Sequence, residues 1–164
     1  LLGGWTYGGV ELPALLLYAR ERLGDKQLEK EVLKILKRLW RNHQQRLKRK
    51  RVRDRITHSD FVYQGLFGWP GAIVPFLLEQ IEIEDFERAA GNTTSERLKE
   101  RRQCQADFYI ALRALREKND EVFQLAMIRC ANSQRGALEQ EYYLALWELE
   151  RGFPREPFIP QNSG

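Results

Sequence analysis

Ala106-Asp-Phe-Tyr-Ile-Ala-Leu-Arg-Ala-Leu-Arg-Glu-Lys-Asn-Asp-Glu-Val-Phe-Gln-Leu-Ala-Met-Ile-Arg-Cys-Ala-Asn132 holds two helix-patterned runs joined by a short turn. Phe108, Ile110, Ala111, Leu112, Ala114 and Leu115 supply the apolar side of the first run. Lys118-Asn119-Asp120 reads as a tight turn, and Val122, Phe123, Leu125, Ala126, Ile128 and Cys130 supply the return. Apolar residues at three- and four-residue steps signal amphipathic helix, not strand. A turn this short forces its two helices to lie side by side and antiparallel.

Working outward, residues 65–152 form the expected core. Gly65-Leu-Phe-Gly-Trp-Pro-Gly71 opens it; a brief helix through Phe61, Val62, Leu66 and Phe67 is predicted there, and Gly68-Trp-Pro-Gly71 breaks it. A short apolar helix is predicted over 72–80, with Ile73, Phe76 and Leu77 inward and Pro75 in its first turn. Glu82, Glu84 and Asp85 crowd the start of another over 84–90, where carboxylates are stabilised by the helix N-terminus. Ser95 is placed to cap the long helix that reaches about residue 117. A last helix is predicted over 137–151, and Pro154, Pro157 and Pro160 forbid more in the tail 153–164.

The first half reads as one more hairpin. Residues 10–23 form a helix whose expected apolar face is Leu12, Leu15, Leu16, Ala19 and Leu23, with Gly24 as stop. Asp25 caps a longer helix over 26–53, whose stripe is Leu28, Val32, Ile35, Leu36, Leu39 and Trp40. No segment sustains strand alternation. The expectation is an all-α chain, with one domain over 1–152 and a proline-broken tail.

At 164 residues the chain can bury a real core. No window approaches the roughly 18 apolar residues of a membrane span. Residues 37–55 hold ten Lys/Arg against Asp54 alone, a window of +9, which leaves −5 for the rest of a chain of net charge +4. Arg46, Lys48, Arg49, Lys50, Arg51, Arg53 and Arg55 are candidates for an anionic partner, through phosphate or carboxylate contacts. The same run also reads as a solvated helix end, where cations are favoured. Nucleic acid is the less favoured partner, because no aromatic platform or recognition motif accompanies the charge.

Cys104 and Cys130 read as two small buried hydrophobes, not as a disulfide framework or a zinc site. His43 and His58 are the only histidines, and the neighbours His58-Ser59-Asp60 cannot by themselves supply triad geometry. The paired glycines in residues 1–9 lack the Gly-Lys-Ser/Thr of a phosphate loop, so no cofactor is expected. The compartment is open: the cytoplasm is preferred, and the cell envelope follows if a leader precedes Leu1.

Residues 106–132 resemble most of a tetratricopeptide repeat, a helix, a short turn and a return helix. Ile110 and Ala111 fall on the Leu-Gly positions, Ala114 on the tyrosine, Met127 on the late aromatic and Cys130 on the small residue after it. Phe123 stands where alanine is usual, and Lys118 replaces the turn glycine. With Trp69-Pro70, the acidic segment 82–87, Phe108-Tyr109-Ile110 and Tyr143-Leu144-Ala145-Leu146, the block resembles the C-terminal half of bacterial tetratricopeptide proteins, including envelope lipoproteins. The ending from Tyr143 to Pro154 is also similar to that of all-α immunity proteins of bacterial polymorphic toxin systems.

The resemblance implies helical hairpins stacked as a short α-solenoid, a non-enzymatic scaffold whose groove holds a peptide or partner protein. Tyr109, Arg113, Arg116, Tyr142 and Glu148 are the candidate groove residues. The alternatives are toxin neutralisation, and anionic-partner binding through the basic segment.

Overall fold

The structure is a computed structural model that describes residues 10–50 and 69–153, with the side chains of 43 and 46–50 left out of the description. The paired glycines of residues 1–9, the basic run beyond residue 50, the helix around Phe61 to Phe67 and the tail from Pro154 lie outside the described residues. Among the described residues the fold is all-α, with seven α-helices and no strand. In order they are α1 (Glu11–Leu23), α2 (Lys26–Lys50), α3 (Ile73–Leu77), α4 (Ile83–Gly91), α5 (Glu96–Arg116), α6 (Asp120–Ala131) and α7 (Gln140–Glu150). A single 3-10 turn, Gly136–Leu138, precedes α7.

Local chemistry sets the boundaries. Gly24 ends α1 with φ 66, and the Asp25 carboxylate accepts from the Gln27 and Leu28 amides at 2.9 and 3.0 Å to start α2. Ser95 Oγ accepts from the Leu98 amide to start α5. The α5–α6 turn saturates its carbonyls by a Schellman pattern: Asn119 N–H bonds Ala114 O and Lys118 N–H bonds Leu115 O. Lys118 takes φ 59 there, and the Asn119 side chain then caps α6 by accepting from the Val122 amide. A matching pattern closes α7, with Gly152 at φ 66 and Phe153 N–H on Glu148 O.

α5 is the central rod. Residues 104–112 are buried without interruption, the mark of a helix enclosed on every side. α6 makes its most extensive pairing, antiparallel across the short turn. α7 then packs on both α6 and α5, and α4 lies along α5. Apolar α3 is wedged among α1, α2, α4 and α5, and its Phe76 stacks on Phe86 of α4 with centroids 4.0 Å apart. The Arg116 and Arg113 guanidiniums donate to the Leu77 and Ile81 carbonyls, satisfying the backbone just beyond α3.

Three expectations change. The apolar helix spans only Ile73–Leu77, because the chain turns at Glu79 with φ 59. The final helix begins at Gln140, because Glu139 is extended and separates it from the 3-10 turn. On α1 the buried face is Val10, Ala14, Leu17, Tyr18 and Arg22, while Leu12 and Leu23 are each 48% exposed. Tyr18 and Arg22 turn inward because Glu148 of α7 receives both. The predicted stripe of α2 does meet the core, through Val32 and Leu36.

Candidate interaction surface

α1 and α7 run parallel. Glu11 lies near Glu139 and Glu141 at one end, and Tyr18 and Arg22 reach Glu148 further along. Tyr18 and Arg22 span the two helices to Glu148, and an open furrow of about 570 Å³ lies between them. Ala19 and Leu23 form one wall, and Gln140, Tyr143, Leu144 and Trp147 form the other. Tyr18 and Arg22 lie at its base, and the surface it presents is almost wholly apolar.

Beneath the furrow is a buried charge cluster. Arg22 grips Glu148 by two nitrogens, the Tyr18 phenol donates to the same carboxylate, and Glu148 is fully buried. The arrangement meets the rule that a buried charge needs both a counter-ion and hydrogen bonds. Burial, and then the bond to Glu148, push the Tyr18 phenol far above its ordinary range, so it stays a donor. The Arg22 guanidinium also lies 5.0 Å from the Phe123 ring centre, and Phe123 meets Phe153 edge-on.

On the walls, Tyr143 is 57% exposed, yet its hydroxyl is tied to Ala137 O at 3.0 Å. The Arg151 guanidinium covers the Trp147 ring at 4.7 Å. Both rings are held in place by their neighbours, which lowers the entropy lost when something docks on them.

A second polar cluster joins α5 to the start of α7. The Tyr109 phenol donates to Glu141 at 2.7 Å, Arg101 pairs with Glu139, and Trp69 Nε1 donates to Gln105 Oε1 at 2.6 Å. Burial raises the carboxyl pKa of both Glu11 and Glu141, and their closeness adds to the shift at Glu11. Burial and the Glu141 charge hold Tyr109 well above the usual phenol range.

The expected groove residues do not come together in one groove. Tyr109 and Glu148 are 0% exposed and spend their polar atoms on internal partners, so neither has surface to offer. Arg113 lies over Phe76 and bonds Glu117 and Ile81 O, and Arg116 bonds Leu77 O. Tyr142 is half-buried against Gly136. The furrow residues Tyr18, Arg22, Tyr143 and Trp147 were missed, although Trp147 and Tyr143 share a helix face at four-residue spacing, a signal open to reading.

Arg46, Lys48, Arg49 and Lys50 lie on the last turns of α2, and Arg51, Arg53 and Arg55 lie outside the described residues. Glu82, Glu84 and Asp85 are exposed around the first turn of α4. Comparisons of the chain with protein families, with curated proteins and with solved structures find no match to any of them.

Proposed function

We propose that the chain is a non-enzymatic protein-interaction module that receives an apolar helix of a partner in the α1–α7 furrow. The observation that carries this reading is the apolar furrow surface, on which Leu23 and Tyr143 are exposed and Ala19 and Leu144 half-buried, set between two parallel helices. A third helix laid in such a furrow buries one apolar face without disturbing either wall. The rigid aromatic side chains supply the kind of anchor on which interfaces concentrate their binding energy.

The α5–α6 pair with α7 packed on both is similar to a tetratricopeptide unit followed by the first helix of the next. We read the fold as a short helical-repeat scaffold whose first hairpin folds back on its last helix. A bacterial toxin is one partner such a furrow suits, and a toxin gene immediately upstream would favour that choice.

The test is capture of partners by the wild-type chain and by Leu23→Glu and Tyr143→Glu, at matched helicity and Tm. The expected result is one defined protein retained by the wild type and released by both variants. Equal retention by all three overturns the furrow as the docking site.

A second reading has its own observation. Among the described side chains of α2 the last to pack against the core is Trp40, yet the helix continues to Lys50, about 15 Å further at 1.5 Å per residue. Arg41, Asn42, Gln44 and Gln45 on that extension are exposed. An anionic partner bound there is released by salt, whereas furrow binding persists.

A further inference from the structure

We propose that Cys104 and Cys130 are a redox site, a dithiol that peroxide converts into an intramolecular disulfide clipping α5 to α6. The two Sγ atoms lie 3.2 Å apart, and Cys104 Sγ also sits 3.5 Å from the Cys130 carbonyl oxygen. They come from opposite arms of the antiparallel hairpin, 26 residues apart in sequence. A disulfide needs about 2.0 Å between sulfurs, so they must close by only ~1.2 Å, within reach of small side-chain rotations.

Burial selects the chemistry. Cys104 is 1% exposed and Cys130 0%, so neither thiol can reach a second chain. Bulky disulfides such as oxidised glutathione are excluded for the same reason, and a small peroxide is the oxidant class that fits. Cys104 has a thin roof: a Cβ on Gly136 would stand 2.9 Å from its Sγ, so this sulfur lies directly under the 3-10 turn. The next residues of that turn, Ala137 and Leu138, are exposed, Leu138 at 74%. Local opening of the turn is the route of entry, since segments with little buried surface open at low cost.

The balance is simple. Cys104, as thiolate, attacks one peroxide oxygen, the O–O bond breaks, and the departing hydroxide leaves as water with the thiol's proton. Cys104 is then a sulfenic acid. Cys130 Sγ attacks that sulfur, the S–O bond breaks, and the hydroxyl leaves as a second water with the Cys130 proton. Two thiols and one peroxide give one disulfide and two waters. The contact with Cys104 and burial both hold the Cys130 thiol protonated, so its proton is at hand for the departing hydroxyl, and Cys104, the sulfur directly under the 3-10 turn, is the one placed to meet the peroxide.

The test uses the full chain, treated while folded with hydrogen peroxide or with oxidised glutathione, then denatured and alkylated. With peroxide, the expected product has lost two hydrogens in mass, takes up no alkylating reagent and yields one linked peptide pair containing both cysteines. It keeps its helicity, and its Tm rises by several degrees because the closed loop restricts the unfolded chain. With oxidised glutathione both thiols are expected to remain. Two alkylated thiols after peroxide, a disulfide between chains, conversion to sulfinic or sulfonic acid, or a fall in Tm on oxidation each overturn the proposal, as does equal oxidation by the two reagents. Cys104→Ala and Cys130→Ala are expected to give no linked pair; if either fails to fold, the wild-type masses still decide.

Discussion

The Tyr18 phenol and the Glu148 carboxylate, 130 residues apart, share a hydrogen bond in the interior of the molecule. Arg22, one turn on from Tyr18, completes the site by pairing with the same carboxylate at 2.5 Å. Glu148→Ala removes the buried carboxylate that Arg22 and Tyr18 share, at an expected cost of about 3–5 kcal/mol. Tyr18→Phe removes a single donor and is expected to cost about 1.5–3 kcal/mol. Urea denaturation of both variants and of the double variant checks this, and the two losses should not add, because the residues share one network.

The two buried phenols predict alkaline sensitivity. Tyr18 and Tyr109 both have pKa values raised above the ordinary 10.0. Above that value the unfolded phenols ionise while the folded ones keep their protons. The folded state then binds the extra protons, so stability is full below pH 10 and is lost as pH rises. Each phenol contributes a slope of about 1.4 kcal/mol per pH unit. Tyr109→Phe should remove one such contribution from urea midpoints measured between about pH 9 and about pH 11.

Lys118 holds φ 59 at the α5–α6 turn, a conformation that costs an L-residue with a Cβ about 1 kcal/mol. Lys118→Gly should therefore raise stability by up to about 1 kcal/mol, visible as a higher Tm, since the Schellman hydrogen bonds use only backbone.

Gly136 has no room for a side chain. A Cβ there would stand 2.5 Å from Tyr142 Cδ2 and 2.9 Å from Cys104 Sγ. Gly136→Ala should destabilise by about 1–3 kcal/mol, the usual range for overpacking. Thermal melts check it, and an unchanged Tm would mean that the turn moves freely off the cysteine.

Local signals made the class of the fold legible. Asp25 and Ser95 announce helix starts, Gly24 announces a stop, and α2 buries the stripe that its periodicity indicates. The same counting misled at α1, where apolar residues lie on more than one side and the face is chosen by Tyr18 and Arg22. What chose it was a carboxylate 126 residues further on, which no local window contains. Tyr109 and Glu148 were misread for a related reason: a polar atom suggests surface until its internal partner is known. The cysteine pair was within reach, because Cys104 lies fourteen residues before Lys118 and Cys130 twelve after, nearly equidistant across the turn.

The parallel seating of α1 against α7 has a consequence for biosynthesis. On the ribosome, α1 emerges long before Glu148 is translated, so Arg22 must wait for that carboxylate. The α1–α2 hairpin can associate early with whatever has emerged, but it cannot lock until α7 arrives. A chain arrested before Glu148 therefore differs from a tandem array that has merely lost its end unit: it lacks the group that fixes how its first helix is turned.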